Sequence, residues 1–296
     1  MVLCFDIGGT SIKYGAAHAP GGKVLFASRW ETPTDAKVLR GPGIECKLLD
    51  LITALRDKYD PTGIAISTAG MVDHQTGAIL YANENIPDYT GRNLKAAVER
   101  EFGLPCAVEN DVNAAALGEA AYGAGRGADS VFCLTVGTGI GGAVVLDGRL
   151  VHGHAGSAGE IGYMPINGKP FQEQASTTAL VQRVAALTGE TLDGKQIFAR
   201  AQSGDACCAQ AIAAQCDTLA QGIAACMCVI NPEMVVLGGG IMEQRDYLRP
   251  LLAAGLERYA NSYLLKHTTL AFAALGNSAG MAGAYRLLEQ QLRSHN

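Results

Sequence analysis

Two aspartates, each placed at the end of an apolar run, are the side chains of this sequence best suited to chemistry. Asp6 follows Val2-Leu3-Cys4-Phe5 and opens Asp6-Ile7-Gly8-Gly9-Thr10. An apolar run that ends in an acid and a Gly-Gly-Thr bend is a short buried strand entering a tight turn, and Ile12, Tyr14 and Ala16 carry the chain back as a second strand. Two glycines remove the Cβ atoms, so backbone N–H groups and the Thr10 hydroxyl can approach an anion. Asp6 could hold a hydrated Mg²⁺, which favours one or two carboxylates together with phosphate oxygens. Asp111 follows Cys106-Ala107-Val108-Glu109-Asn110 and precedes the Ala-rich stretch Val112 to Tyr122. An aspartate there caps a helix, and it also stands beyond the carboxyl end of a strand, where open α/β sheets bind ligands. Phosphoryl transfer from ATP to a hydroxyl needs one carboxylate to take the proton, Mg²⁺, and donors around the phosphates. These residues supply that set.

Two further glycine turns follow apolar strands. Val131 to Val136 enters Gly137-Thr138-Gly139-Ile140-Gly141-Gly142, and Met234 to Leu237 opens into Gly238-Gly239-Gly240. The run from Gly137 matches G-x-G-x-x-G, but a dinucleotide fingerprint requires a helix directly after the turn. Here Ala143-Val144-Val145-Leu146 continues as a strand into the turn Asp147-Gly148, so a Rossmann site is excluded, and no G-x-x-x-x-G-K-[ST] occurs. Shifted by 129 positions, Leu3-Cys4-Phe5 meets Phe132-Cys133-Leu134 and Gly8 meets Gly137. Both copies read strand, glycine–threonine turn, strand, as an internal duplication would produce.

The elements that position these turns can be read in order. A third strand is expected over Lys23 to Glu31, a helix through Leu48, Leu49, Leu51, Ile52 and Leu55, and a buried strand from Gly63 to Gly70. Met71 to Asn93 reads as a long polar loop carrying Asn83, Glu84, Asn85, Pro87 and Gly91. Helices are expected near Leu94 to Phe102, Ser176 to Leu187 and Ala209 to Ile230, the last stopped by Asn231-Pro232. Leu270 to Ala273 is a final strand and Gly280 to Leu292 a closing helix. Strands followed by alternating helix and strand mark an α/β layer with a mixed sheet, and the breaker Gly123-Ala124-Gly125-Arg126-Gly127 marks a lobe boundary.

The 296 residues suffice for two lobes with buried cores. With 48% apolar and 17% charged residues and a net charge of −5, nothing points to a nucleic-acid or membrane surface. The N-terminus lacks a basic region followed by an apolar segment, and nine scattered cysteines fit a reducing cytoplasm. Cys207, Cys208, Cys226 and Cys228 form no C-x-x-C pair and read as core thiols. His152 and His154 flank a glycine and read as loop residues. Asn85, Asn110 and Glu160 are suited to reading the hydroxyls of a polar substrate, though each could equally stabilise a turn.

Asp6-Ile7-Gly8-Gly9-Thr10, Glu109-Asn110-Asp111-Val112-Asn113-Ala114, Gly137-Thr138-Gly139-Ile140-Gly141-Gly142, Gly159-Glu160-Ile161-Gly162 and Leu237-Gly238-Gly239-Gly240 together resemble the repressor/open-reading-frame/kinase (ROK) family of bacterial sugar kinases. The resemblance implies an actin-like ATPase (ribonuclease H-like) α/β fold: two lobes with mixed sheets around a central cleft. It places residues 1–118 with the closing helix 280–296 in a small lobe and 119–279 in a large one. It implies that Asp6, Gly8, Gly9, Thr10, Lys13, Thr138, Gly139, Gly238 and Gly239 face ATP and Mg²⁺. Asp111 would take the proton from a sugar hydroxyl, usually the 6-hydroxyl, and Gly70, Asn85, Asn110 and Glu160 would bind the sugar. The family also implies a cytoplasmic homodimer.

Two departures from the family pattern matter. Many members follow Gly-Glu-Ile-Gly with a His and a zinc-holding cysteine cluster; here Tyr163 takes the His position, and no Cys or His occurs from Tyr163 through Gln174. That argues against a structural zinc and removes one sugar contact. The second sugar-binding Glu of zinc-bearing relatives falls on Gln172 or Glu173, and Ala-Ser-Thr-Thr-Ala-Leu after it is similar to zinc-free members such as β-glucoside kinases. The expected activity is phosphorylation of glucose, a β-glucoside or an N-acetylhexosamine. The alternatives are a repressor, which would carry a helix-turn-helix before Asp6, and a non-catalytic sugar sensor.

Overall fold

The computed structural model describes residues 1–294. The chain divides into two compact units, the first comprising Met1–Gly127, Gly148–Ala158 and the chain from Asn277, the second Ala128–Asp147 and Gly159–Gly276.

In the first unit the apolar N-terminal run is β1 (Val2–Ile7), which turns at Gly8-Gly9 into β2 (Ser11–His18) and then β3 (Leu25–Pro33). The strand β3 is displaced by two residues from the expected Lys23–Glu31, because Pro20-Gly21-Gly22 forms a tight 3-10 turn and Lys23 closes it with an N–H bond to the Pro20 carbonyl. Helix α1 (Ala36–Tyr59) contains the leucines read as helical but starts a dozen residues earlier. Arg40 interrupts it with φ 55°, just before Pro42, so the sequence there looks like loop. β4 (Gly63–Thr68), α2 (Leu94–Phe102), β5 (Cys106–Asn110) and α3 (Asp111–Tyr122) follow. The sheet order is β3-β2-β1-β4-β5, with β1 antiparallel to β2 and parallel to β4, and β4 parallel to β5. One face buries Leu3, Phe5, Ile7, Ile64 and Ile66 beneath Ile44, Leu48 and Ile52 of α1. Each such buried aliphatic side chain contributes about 1.5–3 kcal/mol. The other face packs against the C-terminal helix Ala279–Ser294 through Cys4, Ala65, Ala107, Met281 and Leu288. That helix also lies against α3, so close that a Cβ on Gly283 would stand 1.6 Å from the Ala114 carbonyl oxygen. The expected helix 280–296 therefore begins one residue earlier, and its last two residues lie outside those described.

In the second unit β6 (Ser130–Val136) and β7 (Ile140–Leu146) form the second glycine hairpin, a strand where a dinucleotide site would have a helix. After the short helix α4 (Gln172–Ala175) come α5 (Thr177–Thr188), α6 (Gly194–Gln202) and α7 (Ala206–Ile230), then β8 (Met234–Gly238), α8 (Arg245–Tyr259), α9 (Ser262–His267) and β9 (Thr269–Phe272). These strands run β7-β6-β8-β9, the same order and directions as β2-β1-β4-β5. Helix α7 is long and apolar enough to cross a bilayer, but 61% of its most apolar window is buried in this unit's core. Cys208 and Cys226 are buried there, eighteen residues or five turns apart and so on one face, whereas Cys207 and Cys228 are exposed. Two of the four expected core thiols are thus surface thiols, because a helix buries a face and not a segment.

Candidate active site

The first unit assembles a carboxylate site at the carboxyl ends of β1, β4 and β5. Asp6 is the penultimate residue of β1, cross-strand from Lys13, whose Nζ lies 3.9 Å from Asp6 Oδ2. Ser67, its partner on β4, donates to Asp6 Oδ1 at 2.7 Å. Burial holds the Asp6 carboxyl above the usual carboxylate range, with Ser67 and Lys13 opposing. The adjoining turn is latched by Thr34, whose hydroxyl donates to the Gly8 carbonyl at 2.6 Å and whose N–H donates to the Thr10 carbonyl at 2.9 Å. Gly9 and Thr10 are left exposed at the tip.

Asp111 is the first residue of α3 but not its cap. The cap is Asn110, whose Oδ1 accepts from the N–H groups of Val112 at 2.9 Å and Asn113 at 3.1 Å. Asn110 Nδ2 donates to the Gly70 carbonyl at 2.9 Å and to Asp111 Oδ1 at 3.0 Å. Those bonds bring three of the sequence-predicted residues together. Burial, and after it the negative charge of Asp6, push the Asp111 carboxyl up to about 6, against the hydrogen bonds from Val112 and Asn110. A carboxyl near 6 is ionised at neutral pH and is a stronger base than an ordinary aspartate. Asn85 lies beside the first turn: a Cβ on Gly9 would stand 3.5 Å from Asn85 Cβ. The loop that carries it holds a short hairpin, Met71–Val72 with Ile79–Tyr81, and is anchored by a 2.7 Å bond between the Tyr89 and Thr68 hydroxyls.

The second unit assembles a backbone cradle. Gly137 N–H bonds the Gly139 carbonyl at 2.9 Å, Thr177 N–H bonds the Gly137 carbonyl at 2.8 Å, and the Thr178 hydroxyl donates to the Thr138 carbonyl at 2.9 Å. Gly239, beyond β8, has φ 101°, and a Cβ there would meet the Val136 carbonyl oxygen at 2.2 Å, so only glycine fits. Between this cradle and Gly240 opens a cavity of about 720 Å³, walled by Thr177, Thr178, Val181, Phe198, Ile241 and Gln244. It offers apolar, hydroxyl and amide groups, with Asp193, Lys195 and Glu243 also in its wall, a mixture suited to a nucleoside. Gln172 turns its side chain to the cradle, its Oε1 2.8 Å from where a Cβ of Gly139 would be, while Glu173 and Glu160 are exposed.

One buried group escaped the sequence reading. Glu109, the residue before Asn110, is fully buried and lies 2.7 Å from His152 Nε2 through its Oε2. Forty-three positions separate the pair, and no periodicity links them; the signal available was a glutamate in an apolar strand, which demands a partner.

The ROK family model matches residues 2–291. An uncharacterised protein of Clostridium perfringens is 46% identical, with 95% of each chain covered. The β-glucoside kinase of Listeria monocytogenes is 34% identical, covering 99% of each. The ROK family glucokinase of Streptomyces griseus, solved with glucose and AMPPNP, superposes with a TM-score of 0.82 at 29% identity, covering 98% of this chain and 99% of that one. The actin-like ATPase fold of such kinases accounts for both sheets described above.

Proposed function

We propose that this chain, which belongs to the ROK family and is an ATP-dependent sugar kinase, transfers the γ-phosphoryl group to O6 of glucose, a β-glucoside or an N-acetylhexosamine, with Asp111 as the base. The observation that carries the reading is the carboxyl of Asp111, held by Asn110 and Val112 and pushed up to about 6. A carboxylate so fixed can accept the hydroxyl proton as the oxygen attacks phosphorus. Asn110, Gly70, Asn85 and Glu160 bind the sugar, and Gln172 or Glu173 joins them. Gly8, Gly9, Thr10, Lys13, Thr138 and Gly139 receive the phosphates, and Gly238 and Gly239 border the adenosine.

The donor set also fits Mg²⁺. Asp6 presents hard oxygens beside a turn of backbone donors, and among the described residues its Oδ2 carries only the 3.9 Å contact to Lys13. When bound, the ion would neutralise charge developing on the phosphates. Asp6 would hold its water shell, while Ser67 keeps the carboxylate oriented.

ADP release with Mg·ATP tests the reading across glucose, mannose, fructose, N-acetylglucosamine, N-acetylmannosamine, allose and cellobiose. One sugar should stand out, and Asp111→Asn should lose several orders of magnitude in kcat while retaining sugar binding. The wild-type kcat/KM for the sugar should fall about tenfold per pH unit below about 6, because only the ionised carboxylate accepts a proton. Wild-type turnover in Asp111→Asn would remove it from the base role.

A further inference from the structure

Behind the Asn110–Asp111 peptide, Glu109 grips the active segment from two sides. Its Oε1 accepts from the Asn110 N–H at 2.9 Å and from Asn113 Nδ2 at 3.1 Å, one residue before Asp111 and two residues after it. Its Oε2 meets His152 Nε2 at 2.7 Å, and with the carboxylate accepting, the ring proton is on Nε2. The His152 ring in turn stacks on His74, centroids 4.2 Å apart and planes 11° from parallel. Two segments distant in sequence therefore meet at one buried carboxylate, the strand end that precedes Asp111 and Gly148–Ala158, and a third, the turn that opens the loop of Asn85, stacks on the histidine that holds it.

We propose that His152 is a positioning residue for phosphoryl transfer: through Glu109 it fixes the orientation of Asn110 and thereby of the Asp111 carboxyl. The inference rests on the reading of Asp111 as base. If Glu109 can rotate about its side-chain torsions, the Asn110 N–H and the Asn113 amide lose a fixed acceptor. Asn110 then loosens as both cap and donor to Asp111. Misplacement of a base by fractions of an ångström lowers turnover more than it lowers ground-state binding.

The alternative is that His152 merely compensates a buried charge. Steady-state kinetics on the full chain separates the two. His152→Phe keeps a flat ring against His74 but donates nothing; kcat should fall about thirtyfold with the sugar KM within about threefold. His152→Gln, whose amide can donate near the Nε2 position, should stay within about fivefold of wild type. The double variant His152→Phe/Glu109→Gln leaves no carboxylate unpaired and guards against loss of folding in the single one. Under positioning its kcat stays at least about tenfold low, and under charge compensation it returns to wild type, which overturns the proposal. Equal losses in the Phe and Gln variants, or a raised KM at unchanged kcat, overturn it as well. Asp111→Asn assayed alongside keeps the two readings apart. An inactive Asp111→Asn with a fully active His152→Phe sinks only the positioning role, and an active Asp111→Asn sinks the base.

Discussion

Asp6 faces Lys13 across the first hairpin, whereas at the matching place in the second Thr135 faces Gly141. The turns themselves are built alike. Each joins an antiparallel pair at the centre of its unit's sheet, and each has its carbonyls latched by a threonine from outside the hairpin: Thr34 for Gly8, Thr178 for Thr138. Four residues lie between Ile7 and Ile12 and three between Val136 and Ile140, so the second bend is tighter. The charged pair is thus an addition to a shared backbone device. A strand–glycine turn–strand supplies N–H donors in either unit, and only the first adds a carboxylate able to organise a cation and to raise the neighbouring Asp111.

If the charge is what separates the turns, Asp6→Asn should cost on the order of a hundredfold to a thousandfold in kcat, while Thr135→Val stays within about threefold, both read by ADP release. Comparable losses in the two would erase the distinction. Next in size is Gly239→Ala, which forces a Cβ onto the Val136 carbonyl at a positive φ. It should destabilise the second unit by about 2–4 kcal/mol in denaturant unfolding and raise the KM for ATP. The latches give the finest contrast. Thr34 is fully buried, and Thr34→Val leaves the Gly8 carbonyl without its side-chain donor, for a loss of about 1–2 kcal/mol. Thr178 is exposed, so Thr178→Val should leave stability within about 0.5 kcal/mol and shift the KM for ATP about twofold, through a Thr138 carbonyl free to move.

What could be read in advance divides along physical lines. Strands that end in glycine turns were legible because burial, alternation and the turn residues agree locally, and Leu94–Phe102 was legible because Asn93 caps it and Gly103 ends it. Helix α1 hid its first turns because Gly41, Pro42 and Gly43 read as breakers. Gly41 is there for another reason: a Cβ would strike the Asp88 carbonyl at 2.1 Å, so the residue records a tertiary approach and not a local preference. The cap at α3 was assigned to the wrong neighbour, since Asn and Asp are both good caps and only the backbone decides which stands one residue outside the helix. Glu109 with His152 was beyond reach, because a pairing between distant segments leaves no periodic trace.

The helix Ala279–Ser294, wedged against α3 and one face of the first sheet, has a consequence for synthesis. The first unit begins at the N-terminus, yet its last piece leaves the ribosome only after the whole second unit has been made. At ordinary elongation speeds roughly 10–30 s separate the emergence of α3 from that of its partner helix. During that interval Cys4, Ala65 and Ala107 line an uncovered apolar face. The unit started first is therefore completed last, and while the second is translated a chaperone has a surface to hold.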